Sequence, residues 1–243
     1  MTGAVEAARA LLSGLAGSGA DHRDVERVLL AAGWRPCGAG DWAIALRSPD
    51  GVAAARISPF DPTGPYAAAL YREAAHTGQV PVLFDHRRLA GGGDLQLMEW
   101  LEPAPPADAD AFHRALAAET AVPGRAHEVA ELAAVVRRVH ERALRELPWC
   151  GPLDANPANV MRSARRGLVV TDLFYADGPA LYATAATDPD IVAARIPEPE
   201  RRFMTEIPLA GSGPWQPADR EAMRAGLAAA DARLAASQAV RKP

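Results

Sequence analysis

The sequence changes character at Glu102-Pro-Ala-Pro-Pro-Ala107: strand-forming segments precede it, and mostly helical segments come after it. Prolines at 103, 105 and 106 remove backbone donors and bias the residues before them away from helical conformation, so no regular element continues through. Upstream, Trp42–Arg47 and Val52–Ile57 flank Ser48-Pro-Asp-Gly51, whose Pro-Asp-Gly suits a tight turn, so the pair predicts a hairpin. Apolar spacing predicts a helix over 66–77, then strands over 80–84 and 95–98 on either side of Gly91-Gly92-Gly93-Asp94. Before the hairpin, two short helices are expected over 4–16 and 22–32, with Asp21 as an N-cap and Gly33 as a stop. After the proline cluster, an amphipathic run from His127 to Leu147 ends at Pro148. A short buried strand, Leu168–Thr171, and a helix over 218–239 complete the reading. The expected organisation is α+β: N-terminal helices over 1–33, a β-rich lobe over 34–102 and a helical lobe over 103–243.

At 243 residues and 49% hydrophobic content the chain can bury a full core, in one large domain or two lobes sharing a cleft. Its net charge of -4, with both signs interspersed, argues against a nucleic-acid partner or a polybasic membrane surface. Cys37 and Cys150 lie far apart without metal-type spacing and read as reduced thiols. No apolar run near the N-terminus is long enough for a signal sequence or a span, so a cytoplasmic location is expected. No H-x3-H or H-E-x-x-H pattern supports a zinc hydrolase, and no G-x-S-x-G elbow supports an α/β hydrolase. Gly91–Gly93 lies between strands, not in a strand-to-helix turn, which removes the dinucleotide reading. Asp188-Pro-Asp190 with Glu198 and Glu200 reads as a solvated acidic loop broken by prolines.

The chemistry concentrates in Asp154-Ala-Asn-Pro-Ala-Asn159. A carboxylate and a carboxamide stand five residues apart on a loop after a long helix, and both offer oxygen to a hard cation such as magnesium. Asp172 comes at the end of the apolar strand Leu168–Thr171, where it can present a second ligand to the same ion. Asn156 and Asn159 are the only asparagines in the chain, so a composition otherwise free of this residue keeps both in one loop. Phosphoryl transfer needs this inventory: a positioned metal, a carboxylate beside the attacking hydroxyl, and a cation on the donor phosphates.

Leu-Asp154-x4-Asn159-Val-Met, followed by Val-Val-Thr-Asp172-Leu-Phe, resembles the catalytic and metal loops of the aminoglycoside-phosphotransferase-like branch of protein-kinase-fold enzymes. The resemblance covers about residues 34 to 175 and implies a two-lobed kinase-like fold with ATP between the lobes. It implies Asp154 as catalytic base, with Asn159 and Asp172 as Mg2+ ligands. In the N-terminal half it implies Arg56 as the phosphate-binding cation and Glu73, on the next helix, as its acidic partner. The linker Glu99-Trp100-Leu101 is where adenine would meet the backbone, with Met98 and Trp100 as candidate pocket walls. Gly38 and Gly40 can let backbone amides approach phosphates, and read equally well as a turn.

Three departures qualify the pattern. The cation is arginine where the family has lysine; the chain's only lysine is Lys242. The two histidines that usually flank the catalytic aspartate are Pro152 and Asn156. The stretch from Glu102 to Asp154 is shorter than in antibiotic kinases with an enclosing helical subdomain, so the acceptor side is expected to be open or completed by another chain. The resulting expectation is O-phosphorylation of a Ser or Thr hydroxyl on a biosynthetic precursor peptide, as in small natural-product kinases that work alongside a separate lyase. A small antibiotic or sugar hydroxyl is the alternative acceptor, and a pseudokinase scaffold binding a peptide or partner enzyme is the alternative class.

Overall fold

The computed structural model describes residues 3–15, 19–121 and 127–240. Two helices open the chain, α1 (Gly3–Leu15) and α2 (His22–Ala31). Asp21 caps α2, its carboxylate accepting from Arg23 N at 2.9 Å and Asp24 N at 3.1 Å, and Asp24 returns a bond to the Asp21 amide. Strands β1 (Arg35–Ala39), β2 (Ile44–Arg47) and β3 (Ala53–Ser58) come next. Helix α3 (Gly64–Glu73) leads to β4 (Leu83–Arg88) and β5 (Asp94–Glu99). These five strands form one antiparallel sheet in the order β1-β2-β3-β5-β4.

Beyond the proline cluster the chain turns helical, as expected, through α4 (Pro106–Ala121) and α5 (His127–Glu146). Strand β6 (Leu101–Pro103) pairs with β7 (Val160–Ser163), and β7 with β8 (Gly167–Val170), in a small second sheet. Helices α6 (Gly178–Thr187), α7 (Pro189–Arg195) and α8 (Pro217–Val240) close the chain. The fold is therefore α+β, a β-rich lobe joined through residues 99–103 to a helical lobe.

Several expectations need correction. Arg35–Ala39 is a strand although its burial shows no alternation: all five residues are exposed on an edge that pairs only with β2. The fourth strand runs over 83–88 and not 80–84; Val80 is a core residue ahead of it, while Asp85 and Arg87 pair with each other along the strand at 2.8 Å. The acidic side chains near Asp188 are solvated as expected, but the segment is not a plain loop: Asp190 lies in α7 and binds Arg233 of α8 at 2.9 Å, and Glu198 binds Arg202 at 2.6 Å. Proline at the first turn of α7 starts a helix where a loop was expected. Helix α3 also stops at Glu73, the expected continuation being a single 3-10 turn over Ala75–Thr77.

Three apolar clusters hold the architecture. Val5, Leu12, Val25 and Leu29 of α1 and α2 pack on Leu46, Ile57, Leu95 and Leu97 of the first sheet. Tyr66 and Leu70 of α3 pack with Leu132, Val136 and Val139 of α5 and join the lobes behind the cleft. Leu181, Val192 and Leu227 of α6–α8 gather around Phe60, which comes from the β-rich lobe.

A second connection crosses between the lobes through residues 198–212. Phe203 donates its N–H to Gly91 O at 3.3 Å and lies edge-on to His22, whose neighbour Arg23 is paired with Glu206 at 2.5 Å. The crossing requires glycine: Gly91 and Gly92 have φ of 75° and 88°, and a Cβ on Gly92 would collide with the Glu200 carbonyl. Asp41, in the β1–β2 turn, is held at the other end of the segment by Gly211 N at 2.6 Å, Ser212 N at 3.0 Å and Ser212 Oγ at 2.6 Å.

His22 gives this crossing a pH dependence. Burial lowers its pKa below 6.5, against the smaller raising effects of Asp21 and Glu206. A group with a depressed folded pKa contributes stability that is complete above its unfolded pKa and is lost as pH falls. Urea unfolding should therefore show the stability difference between the wild type and His22→Gln changing in favour of the variant as pH drops below 6.5.

Candidate active site

A cleft of about 580 Å3 lies between the first sheet and the loops around β7 and β8, and Asp154, Asn159, Asp172 and Arg56 all line it. The loop carrying Asp154 is held by backbone bonds at close intervals. Gly151 N donates to Tyr175 O and Asp154 N to Leu173 O, both at 2.9 Å. Asn156 caps a 3-10 turn over Pro157–Asn159, accepting from Ala158 N at 3.0 Å, and its own N–H donates to Asp154 Oδ1 at 2.9 Å. Asn159 closes the constellation: its Nδ2 donates to Asp154 Oδ2 at 3.0 Å and to the Asp172 carbonyl at 3.2 Å. Its own carbonyl accepts Thr171 N at 2.7 Å and Thr171 Oγ1 at 3.0 Å. Both asparagines of the chain thus have structural work in this loop.

With Pro152 and Asn156 flanking Asp154, the loop is braced by histidines from two helices. His140 on α5 places Nε2 2.9 Å from Gly151 O with its ring stacked on Phe174, and His113 on α4 places Nε2 3.3 Å from Asp154 O. Histidines 11 and 41 residues upstream of their partners therefore hold both ends of the short segment leading to Asp154.

Asp172 lies just after β8 in a left-handed backbone conformation, φ 43°, unusual for a residue with a side chain. Its N–H donates to the Tyr71 hydroxyl at 3.3 Å. Burial, then the Asp172 charge, push that phenol well above its ordinary pKa, so it stays protonated. The Asp172 side chain is 46% exposed toward the cleft, with Oδ1 3.3 Å from Arg56 Nε.

Arg56 sits on β3 opposite Ala45 on β2 and Gln96 on β5, in the middle of the sheet. Its Nη1 is 2.7 Å from Asp61 Oδ2. Burial works against its charge, but Asp172 and Asp61 outweigh that cost and raise its pKa further above the ordinary arginine range. The expected partner, Glu73, is not there. It faces α5, bound to Arg138 at 2.7 Å and to Arg142 at 3.4 Å, and does not line the cleft. Glu73 lies at the last turn of α3, on the face turned to the helical lobe, so the strand cation and the helix acid point to different sides.

The remaining expected contacts fall in the cleft with altered roles. Gly38 lies within β1 and Gly40 in the turn after it; the Gly40 amide closes that turn on Ala43 O at 2.9 Å and is not free for a phosphate. Glu99, Trp100 and Leu101 line the wall with Met98. The Glu99 carboxylate turns away from the cleft to accept from Val82 N at 2.8 Å and Ser163 Oγ at 2.7 Å. The amides of Glu99 and Trp100 are already bonded within the protein, to Val82 O and Val52 O at 3.0 and 2.8 Å. Trp100 carries the Arg47 guanidinium 4.1 Å from its ring centroid.

Among the described residues, no group of three or more His, Cys, Asp or Glu side chains is assembled to hold a metal. Two hard oxygens are available, the Asp172 carboxylate and the Asn159 amide oxygen, whose nitrogen is committed to Asp154. That set fits magnesium, which binds one or two protein oxygens and completes its shell with water and substrate phosphate.

Asp61, Tyr71, His113 and His140 were not singled out by sequence reasoning. Of these, only Asp61 carried a local signal, an acid five residues after Arg56 in the Pro/Gly-rich connection.

No family model and no curated protein matches the chain. Among solved structures it is similar to the aminoglycoside phosphotransferase APH(3'')-Id from Streptomyces rimosus, at 19% identity and a TM-score of 0.32, covering 87% of this chain and 99% of that one. It is also similar to the macrolide 2'-phosphotransferase MphH from Brachybacterium faecium, at 16% identity and a TM-score of 0.33, covering 90% of this chain and 99% of that one. No helix among the described residues is long and apolar enough to cross a membrane.

The His140 bond gives a direct test of the bracing. His140→Phe keeps a ring against Phe174 but leaves the Gly151 carbonyl only the weak Cys150 thiol donor at 3.5 Å, and should lower unfolding free energy by about 1–3 kcal/mol in urea titration.

Proposed function

We propose that this chain is an ATP- and Mg2+-dependent O-phosphotransferase. The observation that carries the reading is the bond from Asn159 Nδ2 to Asp154 Oδ2 at 3.0 Å, in a cleft where Asp172 faces Arg56 at 3.3 Å. One carboxylate stands where an acceptor hydroxyl can be held, two oxygens stand where a metal can be held, and one permanent cation stands on the opposite wall.

In this reading Asp154 orients the acceptor hydroxyl and receives its proton as the new O–P bond forms and the bond to the leaving nucleotide breaks. Asn159 keeps Asp154 Oδ2 fixed in direction, so the carboxylate does not have to find its orientation at each turnover. Arg56 binds donor phosphate oxygens with a charge that does not titrate, in a planar fork that differs from an ammonium in reach. Asn159 and Asp172 would hold Mg2+, which supplies charge neutralisation to the transferring phosphoryl group.

The acceptor we favour is a Ser or Thr hydroxyl of a biosynthetic precursor peptide, processed further by a partner such as a lyase. In the described part of the stretch between β6 and β7 there are only α4, α5 and the catalytic loop, and both helices pack inward: Leu116, Leu132, Val136 and Val139 are core residues. That leaves little to enclose a small acceptor there and suits a hydroxyl presented on an extended chain.

Asp154→Asn should reduce phosphate transfer by at least about 100-fold while leaving ATP affinity within a few-fold, because it removes the proton acceptor and not the phosphate clamp. Transfer would be followed by mass spectrometry of a co-expressed peptide, looking for added phosphate or lost water, with antibiotic and sugar acceptors in parallel. Undiminished transfer in the variant would refute the role of Asp154. Magnesium-dependent ATP binding without transfer to any acceptor would leave the scaffold function as the correct one.

A further inference from the structure

We propose that Asp61, and no acid on α3, is the positioning residue for the phosphate-binding cation Arg56, so that the clamp is assembled within the β3–α3 connection. The proposal rests on the reading of the cleft as an ATP site and names a residue that the family resemblance does not.

Asp61 is fixed from all sides. Its side chain is 4% exposed, and Oδ2 is 2.7 Å from Arg56 Nη1. Oδ1 accepts three bonds, from Thr63 N at 2.9 Å, Thr63 Oγ1 at 2.8 Å and Gly64 N at 2.9 Å. The backbone is held as well, with Asp61 N donating to Gly92 O at 3.0 Å and Asp61 O accepting from Arg88 Nη1 at 2.7 Å. A carboxylate satisfied this completely cannot rotate, and neither can a guanidinium nitrogen bound to it.

These bonds set the orientation of Arg56. Nη1 belongs to Asp61 and Nε faces Asp172, while Nη2 has no hydrogen-bond or ion-pair partner among the described residues. The arginine fork is planar, so fixing two of its nitrogens fixes the direction of the third. Nη2 is the donor left for a phosphate oxygen.

Glu73 cannot substitute. It spans α3 to α5 through Arg138 and Arg142, and withdrawing it would strip the guanidinium groups that hold the helix against the other lobe. An acid on a helix can be carried toward or away from a strand by movement of the helix. An acid five residues from its cation, on the connection that leaves the cation's own strand, moves with it. Behind the pair stands Asp94, fully buried beside His86 at 2.8 Å, and a Cβ on Gly64 would overlap its carboxylate. The start of α3 is thereby locked to the sheet that carries Arg56.

The test compares binding of Mg2+–ATP and of adenosine by the full chain, using calorimetry, in the wild type, Asp61→Asn and Glu73→Gln. Asp61→Asn should weaken ATP by at least about tenfold and leave adenosine within about twofold, because the defect lies at the phosphate end. Glu73→Gln should change neither. Equal ATP affinity in Asp61→Asn and wild type overturns the proposal, as does equal loss of ATP and adenosine, which marks a purely structural residue. Should Asp61→Asn not fold, Arg56→Lys is compared with the double variant Arg56→Lys, Asp61→Glu. Recovery of ATP affinity by the longer acid supports the pairing, and no recovery overturns it. A wild-type chain that binds neither ligand overturns the ATP reading of the cleft, and a wild-type chain that binds adenosine and ATP equally overturns the clamp.

Discussion

Arg56 lies between two carboxylates, 2.7 Å from Asp61 and 3.3 Å from Asp172, and the rest of the site is arranged around that bridge. A guanidinium that is only 18% exposed is tolerable in the middle of a sheet because acids meet it on both sides. One acid belongs to the β-rich lobe and the other to the loop after β8, so a single cation joins the sheet wall of the cleft to the wall formed by the Asp154 and Asp172 loops. Removing either acid would leave the guanidinium with a single partner and one of its nitrogens unanchored. The same bridge ties Asp172, in its left-handed conformation, to the sheet.

On the opposite wall the asparagines organise what the cation does not reach. Asn156 shapes the turn, Asn159 binds Asp154 and the Asp172 carbonyl, and Thr171 returns two bonds to Asn159. The two histidines that hold the entrance to this loop come from α4 and α5, helices whose main task is to form the core behind the cleft. Core packing and site geometry are consequently not separable here. The depth at which α5 packs against α3 sets the height of His140, and with it the position of Gly151.

That Asp154, Asn159 and Asp172 come together was legible because the information is local: a helix end, a carboxylate and a carboxamide five residues apart, and a strand ending in Asp172 all fall within one short stretch. The hairpin and the capped start of α2 were legible for the same reason. Strand β1 was not, since an edge strand exposed on both faces carries no alternation and Pro36 and Gly38 argue against it. Asp61 was hidden by its surroundings: an aspartate in a Pro/Gly-rich connection is ordinary turn chemistry until a cation is found 2.7 Å away. Glu73 shows the reverse failure. The order of the chain places it correctly on the helix after β3, but which face of that helix meets the sheet is decided by Arg138 and Arg142, far along the sequence.

The crossing of residues 198–212 over Gly91, His22 and Asp41 bears on how the two lobes can move. Two lobes joined by one linker can swing about it as rigid bodies. Here the β-rich lobe is fastened at residues 99–103 and again, on another side, at the glycine turn between β4 and β5 and at the turn between β1 and β2. Fastening at several separate points opposes a swing about the linker alone. The Asp41 contacts with Gly211 and Ser212 would have to loosen before the turn between β1 and β2 could move independently of residues 198–212.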